Sequence, residues 1–169
     1  ACITRENGKT LRESDAEIES SIREMEFQIA QGVRQVGQTI PLAQGNARGL
    51  SFRYPLGVVA IITPWNFPLS VLVRKLIPAL MAGNTVVTKP ASLTPGAATL
   101  FTEWLYETGL PSGVLNLVTG PGGEVGDTLV KDSRIRAISF TGSTEIGMHV
   151  QQQAAPDLKR TQLELGGKN

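Results

Sequence analysis

The chain is 169 residues long, 41% hydrophobic and 18% charged, with a net charge of +1. That length supports one compact domain with its own core, and so balanced a charge offers no electrostatic attraction to nucleic acid or to an anionic membrane. One cysteine, Cys2, cannot close an internal disulfide, which points to a reducing, cytoplasmic setting.

The chain starts at Ala1 with no charged-then-apolar leader and stops at Asn169, shortly after a Gly-Gly pair, so both ends read as truncations. The first element expected is a helix over residues 14–36. Ser14 and Glu17 have capping-box spacing, and Ile18, Ile22, Met25, Ile29 and Val33 recur at helical intervals. This predicts an amphipathic helix packed on another element. Residues 39–54 then shift to Gly, Asn, Gln and Pro. They read as an extended hairpin, 39–42 with 50–54 around Gln44-Gly45-Asn46, and as the best place for a domain junction.

After Pro55 strands and helices alternate. Residues 57–63 (GVVAIIT) are apolar on both parities, as a strand buried on both faces requires. A helix over 67–82 ends at Gly83-Asn84. Its stretch 71–82 is broken by Arg74, Lys75 and Pro78, and is too short and too charged to span a bilayer. A strand at 85–89, a helix over 95–108 with proline in its first turn, and a strand at 114–118 follow. A short helix 124–130, a strand 135–140, a helix 144–153 and a strand 161–165 complete the series. Five strands alternating with helices predict an α/β domain with a five-stranded parallel sheet and helices on both faces.

Ligands of such sheets bind beyond the carboxyl ends of the strands. The five strands run into Pro64-Trp65-Asn66-Phe67-Pro68, Lys89-Pro90-Ala91-Ser92, Gly120-Pro121-Gly122-Gly123, Thr141-Gly142-Ser143 and Gly166-Gly167. All should open on one rim. Gly142-Ser143-Thr144 begins a helix, whose free N–H groups and partial positive charge suit a phosphate; Ser143 as a plain N-cap is the alternative. Residues 120–126 nearly form the dinucleotide fingerprint, but Val125 stands where the last glycine belongs, and alone they would be a turn. Lys89 either hydrogen-bonds a hydroxylated ligand or is solvated. His149, the only histidine, has no second ligand beside it and reads as solvent-facing or packed, so no metal site is expected. Trp104 and Tyr106 read as packing, and Arg134 and Arg136 need no functional role.

PWNFP (64–68), KPAS (89–92), FTGST (140–144) and ELGGKN (164–169), in that order, resemble the aldehyde dehydrogenase superfamily over nearly the whole chain. The resemblance implies a Rossmann-like domain, residues 55–169, that binds NAD(P) without the usual fingerprint. Residues 1–54 would be the preceding helix and part of an oligomerisation arm. It further implies that Thr63, Pro64 and Trp65 line the cofactor site and that Lys89, with Pro90, Ala91 and Ser92, meets the adenosine ribose. Gly122 would lie near the adenine, and Thr141, Gly142, Ser143 and Leu165 near the pyrophosphate and beyond. Asn66 matches the oxyanion-hole amide and Glu164 the general base. The nucleophilic cysteine of the family lies beyond residue 169, and Cys2 is in the wrong place to replace it.

Those residue types fit the chemistry. An amide N–H such as that of Asn66 stabilises a developing oxyanion, a term of ~2.7–4 kcal/mol. A carboxylate such as Glu164 activates water to hydrolyse a thioester, giving a carboxylic acid. Ser92 replaces a glutamate common in NAD-preferring members; a neutral hydroxyl tolerates a 2′-phosphate, so NADP as well as NAD is the expected cofactor. The expected partners are a small-molecule aldehyde and, at full length, further copies of the chain as dimer or tetramer, with neither nucleic acid nor membrane. The 169-residue chain alone is expected to be inactive. The alternatives are a non-catalytic nucleotide-binding or assembly module, and an inactive relative.

Overall fold

The computed structural model describes residues 1–43 and 45–167. Gln44, in the expected hairpin turn, and Lys168 and Asn169, the end of the ELGGKN motif, lie outside the described residues.

A short helix, α1 (Cys2–Asn7), leads to α2 (Leu11–Gly32). At six residues α1 is too short to show a period, and the sequence gives no sign of it. Helix α2 begins one turn before the expected start. Its capping box is Thr10 with Glu13, each accepting from the other's backbone N–H at 3.2 and 2.9 Å, and not Ser14 with Glu17. Ser14 and Glu17 are buried instead, on the face that meets the next long helix. Of the expected apolar stripe only Met25 packs against the first core; Ile18, Ile22, Ile29 and Val33 are all exposed, and Val33 retains 75% of its surface.

The hairpin consists of β1 (Gln38–Pro41) antiparallel to β2 (Arg48–Ser51), a two-stranded sheet of its own. Next come β3 (Val58–Ile62), α3 (Ser70–Met81), β4 (Thr85–Lys89), α4 (Gly96–Glu107) and β5 (Leu115–Leu117). Helix α3 starts three residues late because Pro64 and Pro68 keep the loop after β3 out of helical register. It stops at Gly83, whose φ of 79° suits a residue without Cβ. Asn84 then accepts from the N–H groups of Leu56 and Gly57 and donates to the Ala79 carbonyl, tying the end of α3 to the entrance of β3.

The expected helix at 124–130 is in fact a π-turn, Gly122–Gly126, followed by α5 (Asp127–Lys131). Strand β6 (Ile135–Gly142) is longer than expected, because Thr141 and Gly142 still pair with Glu164 and Leu165 of β7 (Arg160–Leu165). Between them runs α6 (Thr144–Ala154).

The large sheet is parallel throughout, in the order β5-β4-β3-β6-β7. Alternating side chains of the central strand feed two cores. Val59 and Ile61 join Leu72, Leu76 and Phe101 under α3 and α4, while Ala60 joins Ile138, Phe140 and Val150 under α5 and α6. The helices therefore cover both faces, as expected. Ile3 of α1 enters the first core and α2 lies along α3, so the N-terminal helices are docked on the sheet domain. Trp104, expected to pack, is instead 56% exposed on α4, whereas Tyr106 does reach inward, donating its hydroxyl to the Leu115 carbonyl. Among the described residues no helix is long and apolar enough to cross a membrane.

Candidate functional site

The chain leaves β3 towards β4 and β5 on one side, then returns to place β6 on the other side of β3. The loops after β3 and β6 consequently diverge, and a crevice opens between them at the carboxyl edge. Two adjoining cavities occupy this region. One, of about 340 Å³, is lined by Pro64, Trp65, Asn66, Thr141, Gly142, Ser143, Glu164 and Leu165. The other, of about 490 Å³, is lined by Lys89 and Gly122 together with Asp127, Ile146 and His149. The first turn of α6 is the wall between them, with Ser143 on one side and Glu145 and Ile146 on the other. Thus Asn66, Lys89, Ser143 and Glu164 gather on one rim.

The loop after β3 is braced from outside the sheet. Asn7 donates its amide to the Trp65 carbonyl at 2.7 Å and, more weakly, to that of Asn66 at 3.5 Å. Asn66 itself stands exposed at the tip. Thr63 lies just behind, its N–H bonded to the Lys89 carbonyl, and its buried hydroxyl has no partner among the described residues. Neither Thr63 nor Pro90, Ala91 or Ser92 lines either cavity. Pro90 accepts from Lys89, and the Ser92 hydroxyl donates to the Gly120 carbonyl at 2.7 Å, tying the loop after β4 to the loop after β5.

Lys89 is 4% exposed, which removes the solvated alternative. Burial pushes its ammonium below the usual lysine range. Its one acceptor among the described residues is the Pro90 carbonyl at 3.1 Å, so two of its three protons are left for a ligand in the cavity. A Cβ on Gly122 or Gly123 would point into open space, with no part of the chain beyond its local backbone within 4 Å, so glycine keeps that wall bare.

Ser143 is the N-cap of α6 and accepts from the Ile146 N–H at 3.3 Å. Capping one N–H leaves others of the first turn for an anion, so the two readings of Ser143 are compatible. The turn is seated tightly: a Cβ on Gly147 would collide with the Leu165 side chain. One turn on, Ile146, His149 and Val150 form the face that borders the larger cavity. His149 is therefore neither simply solvated nor simply packed; its Nε2 lies 2.9 Å from Asp127 Oδ1, which joins α6 to α5. The spacing 146, 149, 150 puts these three on one helix face, but nothing in the sequence says which neighbour that face meets.

Glu164 lies near the end of β7, beside Thr141 of β6. The Thr141 hydroxyl donates to Glu164 Oε2 at 2.9 Å, and Lys75 Nζ lies 3.5 Å from the same oxygen. Partial burial works to raise the Glu164 carboxyl, but the Thr141 hydroxyl, the Lys75 charge and the Gln162 amide outweigh it and hold the group below the usual carboxylate range. Lys75 was missed in the sequence, where it reads only as a charge interrupting an apolar helix. Its side chain is 2% exposed and runs from α3 across to the sheet. Burial pushes it below the usual lysine range, against the opposing pull of Glu164.

A model described as the aldehyde dehydrogenase family matches residues 1–169. The chain is 51% identical over 169 residues to a 2,5-dioxopentanoate dehydrogenase of Saccharolobus solfataricus, covering 99% of this chain and 35% of that one. It is 46% identical to a succinate-semialdehyde dehydrogenase (NADP(+)) of Escherichia coli, covering 98% and 34%. Betaine aldehyde dehydrogenase of Staphylococcus aureus, solved in complex with NAD+, superposes with a TM-score of 0.96 at 36% identity, covering 99% and 33%. The chain thus spans about a third of the length of the relatives it matches.

Proposed function

The chain belongs to the aldehyde dehydrogenase family, and from that premise we propose that it is the cofactor-binding part of an enzyme oxidising an aldehyde to a carboxylic acid with NADP or NAD. The observation that carries the reading is the meeting of Asn66, Ser143 and Glu164 in one cleft, separated by a single helical turn from the cavity of Lys89 and Gly122. Residues 55–169 are the NAD(P)-binding domain and 1–54 the docked helices and arm, which serves a homo-oligomer of the whole protein. A single cysteine suits a cytoplasmic location.

The donor set fits a dinucleotide. Lys89 offers buried N–H donors to ribose hydroxyls, the bare wall of Gly122 accepts a flat base, and the start of α6 at Thr141, Gly142 and Ser143 suits a pyrophosphate. Thr63, Pro64, Trp65, Pro90, Ala91 and Leu165 frame these groups. Ser92 presents no negative charge to a 2′-phosphate. The dinucleotide, when bound, supplies the hydride acceptor. The chain's own part lies at the acyl carbon. Asn66 donates its amide to the oxyanion formed when a cysteine thiolate supplied by the rest of the protein attacks the carbonyl. Glu164, ionised at neutral pH, takes a proton from water; the water oxygen bonds to the acyl carbon, the carbon–sulfur bond breaks, and the acid leaves.

The names of the first two relatives both denote aldehydes that carry a carboxylate, and we assign this enzyme the same substrate class. The test is NAD(P)H formation by the purified full-length protein, with succinate semialdehyde against propanal. Faster turnover of the carboxylated aldehyde is expected. No NAD(P)-linked oxidation of either aldehyde would sink the reading.

A further inference from the structure

Gln162 and Glu164 stand two residues apart on β7, and so on the same face of the strand. Gln162 bridges Lys75 and Glu164. Its Oε1 accepts from Lys75 Nζ at 3.1 Å and from the Ser139 hydroxyl, and its Nε2 donates to Glu164 Oε1 at 3.1 Å. The orientation of the amide is dictated by its neighbours: turned over, it would set an NH2 against an ammonium and a carbonyl against a carboxylate. Thr141 holds the other oxygen, Oε2, at 2.9 Å. Both oxygens of Glu164 are therefore gripped, one from its own strand and one from β6.

A glutamate has three side-chain torsions to lose on ordering, and an ungripped one spends most of its time away from any single reactive pose. We propose that Gln162 is a positioning residue for Glu164, its amide fixing the carboxylate through Oε1 while Ser139 and the buried Lys75 fix the amide. The inference rests on Glu164 being the general base of deacylation. Gln162 touches no substrate; it acts through Glu164. Because Nε2 donates to the charged form of the carboxylate, it also favours ionisation, so its removal has a signature in pH as well as in rate. Among the described residues Gln162 is exposed on its strand, and thermal melting of the full-length variants reports whether its replacement disturbs the packing there.

The experiment uses the full-length enzyme and its Gln162→Leu, Gln162→Glu and Glu164→Gln variants. Acyl-enzyme is formed at neutral pH, jumped to a series of lower values, and its decay followed by rapid quench; thermal melting checks the fold. Gln162→Leu is expected to slow decay by a part of the ~10²–10⁴-fold that a general base contributes. It should also raise the acid limb by roughly 1–2 units, the size of one charge-assisted hydrogen bond. Gln162→Glu should raise the limb further, because a second carboxylate then faces Glu164. If both Gln162 variants keep the wild-type limb while Glu164→Gln abolishes decay, the positioning role is overturned. Slower decay with an unmoved limb also overturns it, since that marks a merely structural effect. If Glu164→Gln decays normally, the general-base reading fails and this inference falls with it.

Discussion

Asn66 sits at the tip of a loop held by two prolines and by Asn7, and among the described residues its side chain is exposed. Asn66→Ala in the full-length enzyme should cost ~2.7–4 kcal/mol of transition-state stabilisation, read as a loss in kcat, with an unchanged Tm. Glu164 follows a different logic. Its folded carboxyl is held below the ordinary range, so its ionised form contributes stability above about pH 4.3 that is lost as the pH falls through the lowered value, and the base role we propose for it is lost over the same range. Activity should therefore persist into mildly acid solution. An acid limb near neutrality would contradict the Thr141 and Lys75 contacts. Ser92 tests cofactor choice: Ser92→Glu brings a charge that repels a 2′-phosphate, and should turn the kcat/KM ratio towards NAD. An unchanged ratio removes Ser92 from the argument. That Asn66, Lys89, Gly122, Ser143 and Glu164 would share one rim was legible in the sequence, because each sits in a short, ordered motif at a strand end; Thr63, Pro90, Ala91 and Ser92 were expected there too and line neither cavity. Lys75 and the anchoring of Gln162 were not, because the groups Lys75 bonds lie 64 and more positions away and those that hold the Gln162 carbonyl lie on α3 and β6.

At the scale of elements, the buried face of α2 is built mainly of polar residues, Ser14, Glu17 and Ser21 with Met25, where an apolar one was expected. Glu17, buried, accepts from the N–H groups of Leu69 and Ser70 at the start of α3 and pairs with Lys9 at 2.5 Å. Lys9 in turn lies 3.8 Å over the Phe67 ring, next to the site loop. Glu17→Ala strands two N–H groups and a largely buried ammonium, and should destabilise the chain by about 3–5 kcal/mol in denaturant unfolding. Ile22→Lys and Ile29→Lys, on the exposed stripe of the same helix, should each change stability by less than about 0.5 kcal/mol. A sequence-only reading predicts the reverse order of these effects. Capping-box spacing occurs twice in succession, at Thr10/Glu13 and Ser14/Glu17, and spacing alone cannot tell which pair caps its own helix and which is recruited by another. The strands were easier, because a run such as VVAII must be buried on both faces wherever it lies.

At the scale of the whole molecule, the decisive feature is the reversal of strand order at β3, which sets the loops after β3 and β6 apart and opens the crevice. The 169-residue chain by itself should give no NAD(P)-dependent aldehyde oxidation, since Cys2, on α1, borders neither cavity of the site; measurable turnover would contradict this. The sequence by itself determined the alternation of strands and helices, the parallel sheet and the chemistry gathered at its carboxyl edge. Those depend on periodicity, turn residues and short motifs, which are local. Only the tertiary structure decided the strand order, the exposed face of α2, the second job of Glu17 and the grip of Lys75 and Gln162 on Glu164. Each of these depends on which distant group shares a surface, and a polar side chain carries no mark of the partner that will satisfy it.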